Sequence, residues 1–127
     1  MRTAWTPDEL TAVGGADELQ ITSVRPDGTL RPWVTIWTVR SGDDIFVRTA
    51  YGPGARWFTH AKESGIGSIR AGGIERDVTF AEADADRGEE IDAAYEAKYG
   101  RYGKGVVKTV VGPQVHGLTI KLIPRDS

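Results

Sequence analysis

The 127-residue chain contains no cysteine, a single methionine and only two histidines. Without cysteine there is no disulfide, no thiolate nucleophile and no thiolate-bound metal. His60 and His116 stand too far apart in sequence to suggest ligand spacing, so no metal site is expected. No apolar run approaches the roughly 20 residues that a membrane-spanning helix needs. The opening residues, Met1 to Trp5, lack the apolar stretch of a secretory signal, so the expected location is cytoplasmic, with no membrane partner. An excess of positive charge is missing too. Sixteen basic side chains face eighteen acidic ones, for a net charge of −2, whereas nucleic-acid binding relies on a basic excess or stripe. No nucleic-acid partner is expected. Also missing are a Walker-type loop, a nucleophile–base pair and a paired-carboxylate site. Asp43-Asp44 and Glu89-Glu90 read as solvated charges.

What is present is ordinary globular material. Apolar residues make up 39% of the chain and charged residues 27%, enough for one core. No internal repeat or linker divides it, so residues 1–127 are expected to form one domain. Thr6-Pro7-Asp8-Glu9 is a compact helix start: a capping threonine, a proline at the first position and a glutamate that completes a capping box. The helix must be short, because Gly14-Gly15 follows. Residues 17–25 read as a strand that ends at the turn Pro26-Asp27-Gly28. The return run, Leu30 to Arg40, is rich in Trp, Val, Thr and Ile. Both of its faces are largely apolar, which predicts a strand covered on both sides.

A third strand, Ile45 to Ala50, follows the turn at Ser41 to Asp44. Gly52-Pro53-Gly54 breaks the sheet, and Arg56 to Glu63 reads as a short helix with Trp57, Phe58 and Ala61 on its apolar side. Strands near 66–71 and 75–83 join at Gly72-Gly73. Asp86 to Tyr99 is the clearest helix, with Ile91, Ala94, Tyr95 and Lys98 at helical spacing. A Gly- and Lys-rich stretch runs from Gly100 to Pro113, and Val115 to Ile123 forms the last strand. The expected fold is therefore mainly β within the α+β class: a six-stranded antiparallel barrel with two or three helices.

The segment from Arg48 to Arg56 is the best candidate for holding an anion. A strand ends there, Gly52 and Gly54 let the backbone turn, and a helix begins whose N-terminal amides attract phosphate. Arg48 and Arg56 would add charge-assisted bonds and Thr49 a hydroxyl donor. The plainer reading is a strand–turn–helix joint with two solvated arginines. Trp33, Trp37 and Trp57 could wall a pocket for a flat ring, or be barrel core. His60 could supply a proton or a ligand contact, or be a surface or capping residue, and His116 invites the same choice. Tyr99-Gly100-Arg101-Tyr102-Gly103-Lys104-Gly105 could act as a lid, with Tyr99 or Tyr102 as a proton source, or be a surface connection.

The run Gly28-Thr29-Leu30-Arg31-Pro32-Trp33, then Ile45 to Ala50, Gly52-Pro53-Gly54, Arg56 to Ala61 and Thr119 to Pro124 resemble the split β-barrel flavin-binding proteins. This group includes pyridoxamine-phosphate oxidase-like and deazaflavin-dependent nitroreductase-like proteins, and among them small bacterial domains of unknown function. Where deazaflavin-dependent relatives tend to show a tryptophan and then an asparagine in the helix, this chain has Trp57 and His60. The resemblance implies a split barrel and FMN or a deazaflavin held through its phosphate by Arg48, Thr49, Gly52 and Arg56. It places Trp57 and Trp33 near the ring. It also implies a homodimer, and a hydride transfer to a small organic substrate in which the cofactor carries the chemistry. A non-catalytic ligand-binding module and a cofactor-free dimerisation module remain open beside it.

Overall fold

A computed structural model describes residues 4–49 and 55–125. The first helix, α1 (Pro7–Gly15), starts as its sequence demands. Thr6 Oγ1 accepts the Glu9 amide at 3.2 Å, and the Glu9 carboxylate accepts the Thr6 amide at 3.0 Å. This reciprocal pair satisfies two amides that a helix start would otherwise leave open.

Seven antiparallel strands follow: β1 (Leu19–Ser23), β2 (Val34–Ile36), β3 (Val39–Ser41), β4 (Asp44–Arg48), β5 (Ile66–Ala71), β6 (Ile74–Glu82) and β7 (Thr119–Pro124). They form one curled sheet in the order β2-β1-β5-β6-β7-β4-β3, an antiparallel half-barrel of the α+β class. Helix α2 (Arg56–Ser64) links β4 to β5, and α3 (Gly88–Tyr99) follows β6. The stretch after α3 is no plain connection. It winds through short helical turns, among them α4 (Lys104–Val107) and α5 (Pro113–His116), before β7 begins at Thr119.

The count is seven strands instead of the expected six, because the run from Leu30 to Arg40 breaks at Trp37-Thr38. Backbone polar groups that leave a ladder need other partners, and side chains supply them here. The Tyr99 hydroxyl accepts the Thr38 amide at 3.1 Å, and the Lys98 ammonium donates to the Thr38 carbonyl at 2.7 Å. The expectation that this run is covered on both sides also fails for its first half. β2 is an edge strand paired only with β1, and Val34 and Thr35 are exposed.

Strand β4 is buried on both faces. Ile45 and Val47 point into the main core with Leu19, Ile21, Ile69, Val78, Ile120 and Leu122, closed off by α1 and α2. Phe46 points the other way, into a second cluster with Val39, Ile91, Tyr95, Tyr99, Val107 and Val110 beneath α3. Gly67 lets β1, β5 and β6 approach closely. A Cβ there would lie 2.0 Å from the Thr22 carbonyl oxygen and 2.7 Å from the Phe80 ring.

Candidate functional site

The groove is built from three pieces of chain. The first is the end of β1, whose Thr22 Oγ1 donates to the Arg31 carbonyl at 2.5 Å while the Arg31 amide donates to the Ser23 carbonyl at 3.0 Å. These bonds fasten the second piece, the strap of residues 31–34, alongside β1. The turn between them is set by Asp27, whose carboxylate accepts the amide and the hydroxyl of Thr29 at 3.0 and 2.7 Å. The third piece is α2, anchored in the core by Phe58 and Ala61 and ended by Gly65 in the left-handed conformation at φ 76°. Spacings of three and four then bring Arg56, Trp57 and His60 to the side that faces β1 and the strap.

Between these pieces lies a cavity of about 210 Å³, apolar along Ile21, Pro32, Val34, Trp57 and Ala61 and edged by Arg31, Arg56 and His60. A second cavity of about 410 Å³ adjoins it and shares Arg31 and His60. The Nε of Arg31 is buried and has no hydrogen-bond acceptor among the described residues. A buried cationic donor without an acceptor carries a large desolvation cost, so this atom marks a place for an acceptor.

The structure thus brings together three of the expected residues, Arg56, Trp57 and His60. Trp33 is turned away. Val34 pairs with Ile21 and faces the groove, so the neighbouring Trp33 takes the opposite face, where the Arg70 guanidinium covers its ring at 4.0 Å. Tyr99 and Tyr102 belong to the cluster under α3. The Tyr99 ring stacks on Trp37 at 4.0 Å and its hydroxyl lies 2.7 Å from the Asp17 carbonyl, while Tyr102 sits half-exposed against Trp37. Neither tyrosine lines the groove. Burial pushes the Tyr99 hydroxyl up to about 12. Thr49 is fully buried, and Gly52 and Gly54 lie outside the described residues.

Arg48 departs most from expectation. Its guanidinium does not share an anion with Arg56 but turns inward, with its side chain at 0% exposure. Nε donates to Thr119 Oγ1 at 2.8 Å, Nη1 to the Val110 carbonyl at 2.7 Å and to Asp92, and Nη2 to the Gly88 carbonyl at 3.1 Å. Four of its five N–H groups therefore serve the protein's own acceptors. Asp92 in turn accepts the Gly112 amide at 3.1 Å and lies 2.9 Å from His116 Nε2. Burial disfavours the Asp92 charge, yet the bonds from His116, Arg48 and Gly112 outweigh it and hold the carboxyl below its ordinary range. His116 is neither a simple surface residue nor a cap, since its ring packs where a Gly88 side chain would otherwise stand.

Asp44 and Glu90 are likewise not free in solvent. Arg87 bonds Asp44 at 2.5 Å and Glu90 at 3.0 Å, tying the β3–β4 turn to the start of α3.

Sequence reasoning missed Arg31 and Arg25 as site residues. Both flank the Pro26-Asp27-Gly28 turn, and strand alternation does not fix where either points, because Arg25 and residues 31–33 lie outside the regular strands. The cue available was an arginine on each side of a hairpin turn.

Among curated proteins, none matches the chain significantly. Solved structures do match. HutZ, a heme storage protein from Vibrio cholerae, superposes with a TM-score of 0.63 at 15% identity over 100% of this chain and 93% of its own. A putative pyridoxamine 5'-phosphate oxidase from Listeria innocua gives 0.59 at 15% identity over 87% and 85%. An FAD-binding protein from Mesorhizobium loti gives 0.59 at 14% identity over 97% and 92%. At such identities the likeness is one of fold, and the fold is the split barrel. The match to a family profile covers residues 9–122, and by it the chain belongs to the family described as uncharacterized protein conserved in bacteria, DUF2255.

Proposed function

We propose that the groove between β1, the 31–34 strap and α2 holds a flat, anionic cofactor of the flavin type, FMN or a deazaflavin. The observation that carries this reading is the buried Arg31 Nε, without an acceptor among the described residues, at the edge of an apolar cavity walled by Trp57. Sites for flat ligands combine apolar and aromatic walls with a few fixed polar groups, and this lining follows that pattern. Arg31 and Arg56 would grip the anionic group, Trp57 would pack against the ring, and His60 is the imidazole within reach of a reacting atom. Arg48 lies outside the groove, where it holds the end of β4 against α3. A bound flavin would supply hydride transfer, which makes the protein an oxidoreductase acting on a small organic substrate. Two of the structural neighbours are an FAD-binding protein and a heme storage protein, and these favour a flat ligand in this fold.

Val34, which lines the groove, is exposed at 37%, and Leu30, one residue before the strap, at 46%. A second copy of the chain would cover them and close the site at the subunit boundary, so the working form is read as a homodimer.

The test is the absorbance spectrum of freshly purified protein, followed by titration with FMN and with a deazaflavin. Saturable binding is expected, weakened at least tenfold in the double variant Arg31→Ala, Arg56→Ala. A colourless protein whose melting temperature neither ligand moves would overturn the reading. A non-catalytic binder is the second reading. It is favoured by the placement of Tyr99 and Tyr102 away from the groove, which leaves His60 as the proton source among the candidates. Binding without turnover of reducible dyes and nitroaromatics would select it.

A further inference from the structure

The two cavities differ in chemistry. The smaller is apolar with cationic edges. The larger is lined by Arg25, Arg31, His60, Glu63 and Ser64, beside the glycine of the turn, Gly28. A flavin ring with a single phosphate has use for the first cavity and for Arg31 at the junction, and it leaves the second empty.

Resting on the flavin reading of the groove, we infer that the ligand is a flavin dinucleotide. Its ring lies in the smaller cavity, its first phosphate meets Arg31, and its second phosphate and ribose lie in the larger cavity. Three features of the larger cavity support this. The guanidinium of Arg25 is held at the rim, because its Nη1 donates to the Leu30 carbonyl at 3.2 Å and reaches Thr29 Oγ1 at 3.4 Å. A guanidinium anchored on one edge keeps its other N–H groups directed outward, the arrangement that suits a phosphate. Arg25 and Arg31 lie on either side of one turn whose ends are bonded together, with the Arg25 amide donating to the Thr29 carbonyl at 2.7 Å. Two cations fixed by one turn match two linked phosphates better than one. Finally, Glu63 brings a carboxylate and Ser64 a hydroxyl. A carboxylate is a poor neighbour for a third anion but accepts the hydroxyls of a ribose, as acidic residues do in dinucleotide sites.

The experiment compares dissociation constants of FMN, FAD and ADP for the intact protein and for Arg25→Ala and Glu63→Gln, with melting curves to confirm folding. FAD is expected to bind at least tenfold more tightly than FMN, and ADP weakly but measurably. Arg25→Ala should remove most of the FAD advantage while changing FMN affinity less than threefold. Glu63→Gln, at an exposed helix position, guards against a fold defect in the first variant and should weaken FAD and ADP severalfold but spare FMN. Equal affinity for FMN and FAD, or an Arg25→Ala loss shared equally by both, overturns the dinucleotide and leaves the groove reading intact. Binding of neither FMN nor FAD overturns the dinucleotide, and the groove reading falls with it where the deazaflavin also fails to bind.

Discussion

Arg48 and Arg56 are eight positions apart and meet opposite fates. Arg56 follows the backbone into a helix that borders a groove, whereas Arg48 sits where strand alternation carries it under α3 among carbonyls and a carboxylate. Removing one member of a buried pair leaves the other charge and its acceptors uncompensated, at a cost of about 3–5 kcal/mol. Arg48→Ala is therefore expected to lose stability of that order in urea denaturation, and a loss below about 1 kcal/mol would contradict this bonding network. Asp92 adds a pH dependence. A carboxyl held below its unfolded value, about 3.9, contributes stability that is present above that value and lost as pH falls through the folded one. Denaturation midpoints should thus fall as the medium is acidified below about pH 4. Asp92→Asn should be less stable at neutral pH and show a shallower acid limb.

At the scale of elements, the informative feature is the break between β2 and β3. Trp37 and Thr38 have strand-like composition, and at the break the Thr38 backbone is bonded by Tyr99 and Lys98, some sixty positions away. The Tyr99 hydroxyl replaces the missing ladder partner, so Tyr99→Phe leaves the buried Thr38 amide without an acceptor. The expected cost is about 1–3 kcal/mol, with faster hydrogen exchange at Thr38. Unchanged exchange there would show that the break has another cause. The start of α1 is the opposite case. Thr6, Pro7 and Glu9 are near neighbours in sequence and their bonds close within one turn, so the capping box is legible from the order of residues.

At the scale of the whole molecule, one edge of the sheet ends in β2, a short strand in which Val34 is exposed, and Leu30 of the turn before it is exposed as well. Charged side chains on such an edge oppose pairing between copies. Light scattering is expected to report a dimer for the natural chain and a monomer for the variant Leu30→Lys, Val34→Lys. A natural chain that is monomeric at micromolar concentration would remove the proposed boundary site. No helix among the described residues is long and apolar enough to cross a membrane.

Local order determined what the sequence could disclose by itself: caps, turns, helical spacing in α2 and α3, and the loose alternation that marks β1. Those signals depend on residues within a few positions of one another, and they sufficed for the antiparallel fold and for the trio Arg56, Trp57 and His60 on one helix. Long-range closure decided the remainder. Whether an arginine meets solvent, a ligand or a buried carboxylate depends on what folds over it, and Asp92, Val110 and Thr119 reach Arg48 from 44 to 71 positions away. The same reason hid Arg31, whose role depends on α2 arriving from later in the chain to form the other wall.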